Sequence, residues 1–113
     1  MADQATDTPV LDLLARMTAD SMVSAGIDGQ SLMIARIAAL VAVGAPTASY
    51  VANLAAAEAV ELDPEQVRGV LAAVAPIVGT TRVVQAAANI MEAFGIVIMA
   101  ALEAAELEAE TEA

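Results

Sequence analysis

Three polar side chains interrupt the longest uncharged run of this chain. Ser49, Tyr50 and Asn53 stand at i, i+1 and i+4, a spacing that groups them on the third expected helix. As a functional cluster they would line a pocket and hold a small molecule by hydrogen bonds. As structural residues they would pair locally or with a neighbouring helix, which is the default for polar groups within a helix. Arg36 and Arg82 are bases set in apolar surroundings. A guanidinium grips a carboxylate at two points and keeps its charge when partly buried, so either could anchor an anionic ligand. The structural alternative pairs each with an acid such as Glu58 or Glu92, within the subunit or across an interface, or has Arg82 cap the corner after Gly79. Glu58 is the candidate general base, because a carboxylate raised in pKa by burial can take a proton. Glu58, Glu61, Asp63 and Glu65 lie close in sequence. A cation site made of carboxylates alone would want more convergent oxygens or an Asp-rich loop with a glycine, so no metal is expected.

What the chain lacks excludes more than what it has suggests. Its 113 residues contain no Cys, no His and no Lys. Thiol nucleophiles, disulfides, imidazole bases, the usual zinc and haem sites, Schiff bases and P-loop phosphate binding are therefore excluded, and no cofactor is expected. Fifteen acids against four Arg give a net charge of −11, which rules against nucleic acid, since phosphate binding needs a basic footprint.

The acids gather at the two ends. Five Asp lie within residues 1–30 and six Glu within 91–113, leaving an apolar, nearly neutral middle. Hydrophobic residues make up 59% of the chain, and 29 residues are Ala. A domain this small cannot cover so much apolar surface by itself, so the excess must meet copies of itself or lipid. Ile37 to Ala57 carries no charge and is long enough to span a bilayer. Gly44, Pro46, Thr47, Ser49, Tyr50 and Asn53 interrupt it, alanine is a weak membrane residue, and no basic cluster flanks it. Self-association is the expected outcome, a small membrane protein the third-ranked one. The acidic N-terminal stretch does not read as an export signal, so the cytoplasm is the expected compartment.

Helical periodicity and its punctuation define five elements. Thr8 and Pro9 read as a hydroxyl cap and a first-turn proline; Val10, Leu13, Leu14 and Met17 follow at helical spacing, and Gly26 ends the run. Asp28 to Ser31 offer caps for a second helix, Leu32 to Val43, stopped by Gly44. Pro46 and Thr47 open a third, to about Val60. The run Leu62-Asp63-Pro64-Glu65-Gln66 is a capping box with proline at the first position, opening a fourth helix to about Ala75. Pro76 and Gly79 end it. Thr80 and Thr81 read as caps of a long last helix from Arg82 to beyond Leu102, interrupted at Gly95. Residues 1–8 read as a flexible N-terminus, 9–102 as one all-α domain and 103–113 as an acidic, solubilising tail, helical or frayed. Met17, Met22, Met33, Met91 and Met99 read as core filler, with a Met-lined cavity as the lesser alternative.

One succession of these pieces resembles a known family. An apolar helix at 31–40 (SLMIARIAAL) leads to a small-residue turn and an Ala-rich helix. Then come Leu62-Asp63-Pro64-Glu65-Gln66-Val67 and a further apolar helix ending at Gly79-Thr80-Thr81-Arg82. Over a little more than half the chain this is similar to the carboxymuconolactone decarboxylase family, which includes the alkylhydroperoxidase D group. The resemblance implies a helical alkylhydroperoxidase D-like bundle that assembles as trimers or hexamers. It also implies decarboxylation of a lactone acid or thiol-dependent peroxide reduction. The family's Cys-x-x-Cys positions fall on Pro46 and Ser49, its His on Asn53 and its upstream Glu near Ile34, where residues 32–35 hold no acid. Without thiol or imidazole neither reaction has its nucleophile or base. The expectation is a homo-oligomer that is structural or binds a small ligand, such as an anion, through Ser49, Tyr50, Asn53, Arg36, Arg82 or Glu58. The alternative is a cryptic, decarboxylase-like enzyme on a small carboxylic acid or lactone, with an Arg anchor.

Overall fold

The computed structural model describes residues 7–112, so the expected flexible segment lies, for residues 1–6, outside the described residues. Five helices follow one another: α1 (Pro9–Ala25), α2 (Gly29–Val43), α3 (Thr47–Ala59), α4 (Pro64–Val78) and α5 (Thr80–Glu112). Among the described residues there is no strand.

Helices α2 to α5 enclose the core. Ile37 and Val41 from α2, Tyr50 and Leu54 from α3, Val67 and Val70 from α4, and Ala86, Ile90 and Ala93 from α5 form one buried cluster. Each large side chain fully buried here contributes about 1.5–3 kcal/mol by leaving water. Alanine at 57, 86 and 93 lets α3 and α5 approach closely, and this pair has the most extensive packing in the bundle. Tyr50 is the one residue of this cluster with a polar side-chain atom.

Local chemistry explains most of the boundaries. Asp28 caps α2: its carboxylate accepts from the Ser31 N–H at 2.9 Å and from the Ser31 hydroxyl at 2.8 Å. These bonds hold the Asp28 carboxyl below its ordinary value of 3.8. The cap places the α2 start at Gly29, three residues earlier than the apolar run indicates. At α4 the Asp63–Gln66 capping box is complete, with the Gln66 N–H donating to Asp63 Oδ1 at 2.8 Å and the Asp63 N–H donating to Gln66 Oε1 at 2.9 Å.

Four local expectations are corrected. Thr8 stands at the N-cap position ahead of Pro9, but its hydroxyl accepts no capping bond and donates instead to Asp12 Oδ1 at 3.1 Å. Thr80 and Thr81 lie inside the first turn of α5, because the Gly79 carbonyl already accepts from the Val83 N–H. Pro76 sits in the last turn of α4 rather than ending it, since losing one N–H there removes only one bond of the ladder. Gly95 does not interrupt α5: a mid-helix glycine costs about 1 kcal/mol relative to alanine, too little to stop a run of helix formers. The acidic segment 103–112 continues α5 as helix.

The bundle leaves much apolar surface outside. Helix α1 buries none of its residues, and Val10, Leu13, Leu14, Met17 and Met22 are all exposed. Of the five methionines read as core filler, only Met33 is buried; Met17, Met22, Met91 and Met99 are more than half exposed. The radius of gyration is 16.4 Å, against about 13 Å for a compact domain of this length. Two projections account for this: α1 and the outer half of α5.

Candidate functional site

The six residues singled out by sequence do not form one site. They are distributed over three cavities, and one of them lines none.

Arg36 and Asn53 line the first cavity, about 370 Å³ and open, between α1 and the α2–α3 pair. Arg36 donates from Nη2 to the Thr18 carbonyl at 3.3 Å and to Ser21 Oγ at 3.1 Å. It therefore ties α1 to the bundle, and among the described residues of the protomer it has neither Glu58 nor Glu92 as a partner. Asn53 donates from Nδ2 to the Ser49 carbonyl at 2.8 Å, one turn back. Asn53 thus pairs locally with the backbone while still lining the cavity, and Ser49 lines no described cavity. Glu58 lies at the rim of a different, apolar cavity of about 230 Å³, walled by Leu54, Leu62, Val67, Phe94 and Ile98. Neither Arg36 nor Arg82 reaches that cavity.

Tyr50 and Arg82 come together in the third cavity, about 220 Å³ and half-enclosed, between the α2–α3 turn and the first turns of α5. The geometry starts from Gly44. With φ +70° it closes α2 in the left-handed conformation, and its N–H returns to the carbonyls of Leu40 and Val41. The Arg82 guanidinium lies against Gly44, in space that a β-carbon there would claim. Ala45 follows and is held by α5: Asn89 Nδ2 donates to the Ala45 carbonyl at 3.1 Å. Gln85 Nε2 donates to Asn89 Oδ1 at 3.1 Å, fixing the orientation of that amide. The Thr47 hydroxyl donates to Glu92 Oε1 at 2.7 Å and so clamps the start of α3 to α5.

Tyr50 is one of the residues around this cavity. It is fully buried, and its hydroxyl has no hydrogen-bond partner. Such an orphan costs about 1–3 kcal/mol. Burial also pushes the phenol above its ordinary value of 10.0, because the phenolate loses its hydration. Arg82 is likewise unmatched: among the described residues the single ion pair is Arg68–Glu65, an exposed contact at 2.7 Å.

The residues that complete this cavity, Gln85 and Asn89, were not singled out by sequence. A signal was present: Arg82, Gln85, Asn89 and Glu92 recur at i, i+3, i+7 and i+10, one polar stripe on the otherwise apolar stretch from Val83 to Leu102. The carboxylates at Glu58, Glu61, Asp63 and Glu65 do not converge, and among the described residues no group of three or more acids is placed to hold a metal ion.

Of the helices described, α5 is long and apolar enough to cross a membrane. The run from Ile37 to Ala57, weighed above as a span, is broken between Val43 and Thr47 and cannot be one helix. No family model matches the chain, and no curated protein or solved structure matches it either.

Proposed function

We propose that this chain is a carboxymuconolactone decarboxylase-like helical protein that works as a homo-oligomer, trimeric or hexameric, and holds a small ligand without that family's redox or decarboxylase chemistry. The observation that carries this reading is area. The folded chain exposes 7700 Å², whereas a monomer of 11.4 kDa is expected to expose about 5,800 Å². The excess, on the order of 1,900 Å², exceeds the roughly 800 Å² per partner of a standard interface and falls in the range of permanent assemblies. Helix α1 and Ile96, Met99 and Leu102 of α5 leave apolar side chains exposed that a second copy would cover.

Lipid is a poorer cover for α5. Its inner half packs Ala86, Ile90 and Ala93 into the core, and its Asn89 and Glu92 are engaged by the α2–α3 turn. A spanning helix would have to give up these contacts and carry Gln85, Asn89 and Glu92 into hydrocarbon. The alternative of an Arg-anchored enzyme with Glu58 as base needs both groups at one cavity, and within the protomer they line different ones.

Sedimentation in detergent-free buffer at micromolar concentration tests the reading, with the mass of three or six chains expected. A lone 11.4 kDa particle overturns the assembly. Hydroperoxide consumption by the pure protein overturns the catalytic silence, and insolubility without detergent moves the case to a membrane role for α5.

A further inference from the structure

We propose that the cavity between the α2–α3 turn and the first turns of α5 binds a small monocarboxylate, held by the Arg82 guanidinium and the orphaned Tyr50 hydroxyl. This rests on the ligand-holding half of the reading above and is independent of how many chains assemble.

Three observations converge on it. First, Tyr50 lines the cavity and holds an unsatisfied donor sealed from a water-sized probe, so an acceptor in the cavity satisfies it once the thin wall between them yields. Second, Arg82 stands over the same cavity with no carboxylate partner among the described residues. Its position against Gly44 places it near the C-terminal carbonyls of α2, yet among the described residues it makes no hydrogen bond to any of them. Third, the cavity opens at the start of α5, whose first turn carries no acid, so the positive end of that helix is uncompensated there. No Asp or Glu lines the cavity.

The chemistry of the site also limits the ligand. A guanidinium fork on one side and one hydroxyl donor on the other match the two oxygens of a carboxylate. A chain of net charge −11 repels a dianion more than a monoanion, which favours a carboxylate over phosphate. A cavity of about 150 Å³ already admits benzene, so about 220 Å³ leaves room for a short apolar tail against Ala45 and Ala86.

Tyr50 is the only tyrosine and the chain has no tryptophan, so ultraviolet-excited emission reports on this site alone. Propionate and butyrate, both transparent in this range, are titrated into the full-length protein at constant ionic strength, with sodium chloride and inorganic phosphate as separate arms. A carboxylate that accepts from the phenol quenches its emission. The expected result is saturable quenching with half-saturation on the order of 1 mM. Arg82→Gln moves that midpoint upward by about tenfold or more, and Arg36→Gln, which alters a different cavity, leaves it in place. Tyr50→Phe is read by calorimetry with propionate and binds more weakly. Quenching that rises linearly like that of free tyrosine, a midpoint unmoved by Arg82→Gln, or saturation by phosphate but not by carboxylates each overturns the proposal. Sedimentation of the same samples separates the two claims: an oligomer blind to carboxylate refutes this inference alone, and a monomer that binds refutes the assembly alone.

Discussion

The Arg82 guanidinium occupies the space beside Gly44 that any other residue's β-carbon would need. Gly44 is constrained chiefly by its φ of +70°, since the Arg82 guanidinium is the end of a flexible side chain and can move aside. Gly44→Ala is expected to lower stability by about 1–2 kcal/mol, read as a lower midpoint of urea unfolding. Gly69→Ala is the opposite case. This glycine lies inside α4, and a β-carbon there meets nothing within 4 Å. It should raise stability by about 0.5–1 kcal/mol.

Tyr50 makes the alkaline limb of stability readable. Its pKa is raised by burial above 10.0, so the fold favours the neutral phenol. Its contribution is fully present below pH 10 and is lost as pH rises from there through the folded-state pKa. The chain has no Lys and no Cys, so few other groups titrate in that window. Absorbance at 295 nm should show the native phenol ionising later than the urea-unfolded one. Stability of the wild type should fall above pH 10 more steeply than that of Tyr50→Phe. Coincident native and unfolded titrations would contradict this.

Asp28 governs a small effect at the acid end. Its carboxyl is lowered by the two bonds from Ser31, so its contribution is present above about pH 3.8 and disappears as pH falls through the lower folded value. Asp28→Ala should remove that step from the acid unfolding curve and shift the curve to higher pH overall.

Arg36 should act as a tether. Its bonds to the Thr18 carbonyl and Ser21 Oγ join α1 to a bundle in which α1 buries nothing. Arg36→Ala is expected to raise amide exchange across Pro9–Ala25 while leaving exchange in the Ile37–Val41 and Ile90–Ala93 segments unchanged. Uniform acceleration over all five helices would show that α1 belongs to the cooperative core.

Leu14→Glu and Met99→Glu test the covered surface. Both residues are exposed in the protomer, at 49% and 58%, so neither change should lower the stability of an isolated chain by more than about 0.5 kcal/mol. Each should nonetheless reduce the sedimenting mass if these faces meet in the assembly.

Sequence alone determined the helix count, the order of the helices and most of their ends, because those depend on neighbouring residues. A capping box at Asp63–Gln66 and left-handed glycines at 26 and 44 act within a few residues of themselves. Local pairing was one of two readings the sequence left open for Asn53, and its bond to the Ser49 carbonyl is a one-turn contact. It could not decide which face of each helix points inward when alanine occupies nearly every face. Periodicity fades in such helices, so Met17 and Met99 read like Met33, and only packing separates them. Nor could it join Tyr50 to Arg82 or separate both from Glu58. Those placements depend on α5 docking against the turn at Gly44 through Asn89 and Thr47, contacts between residues far apart in the chain.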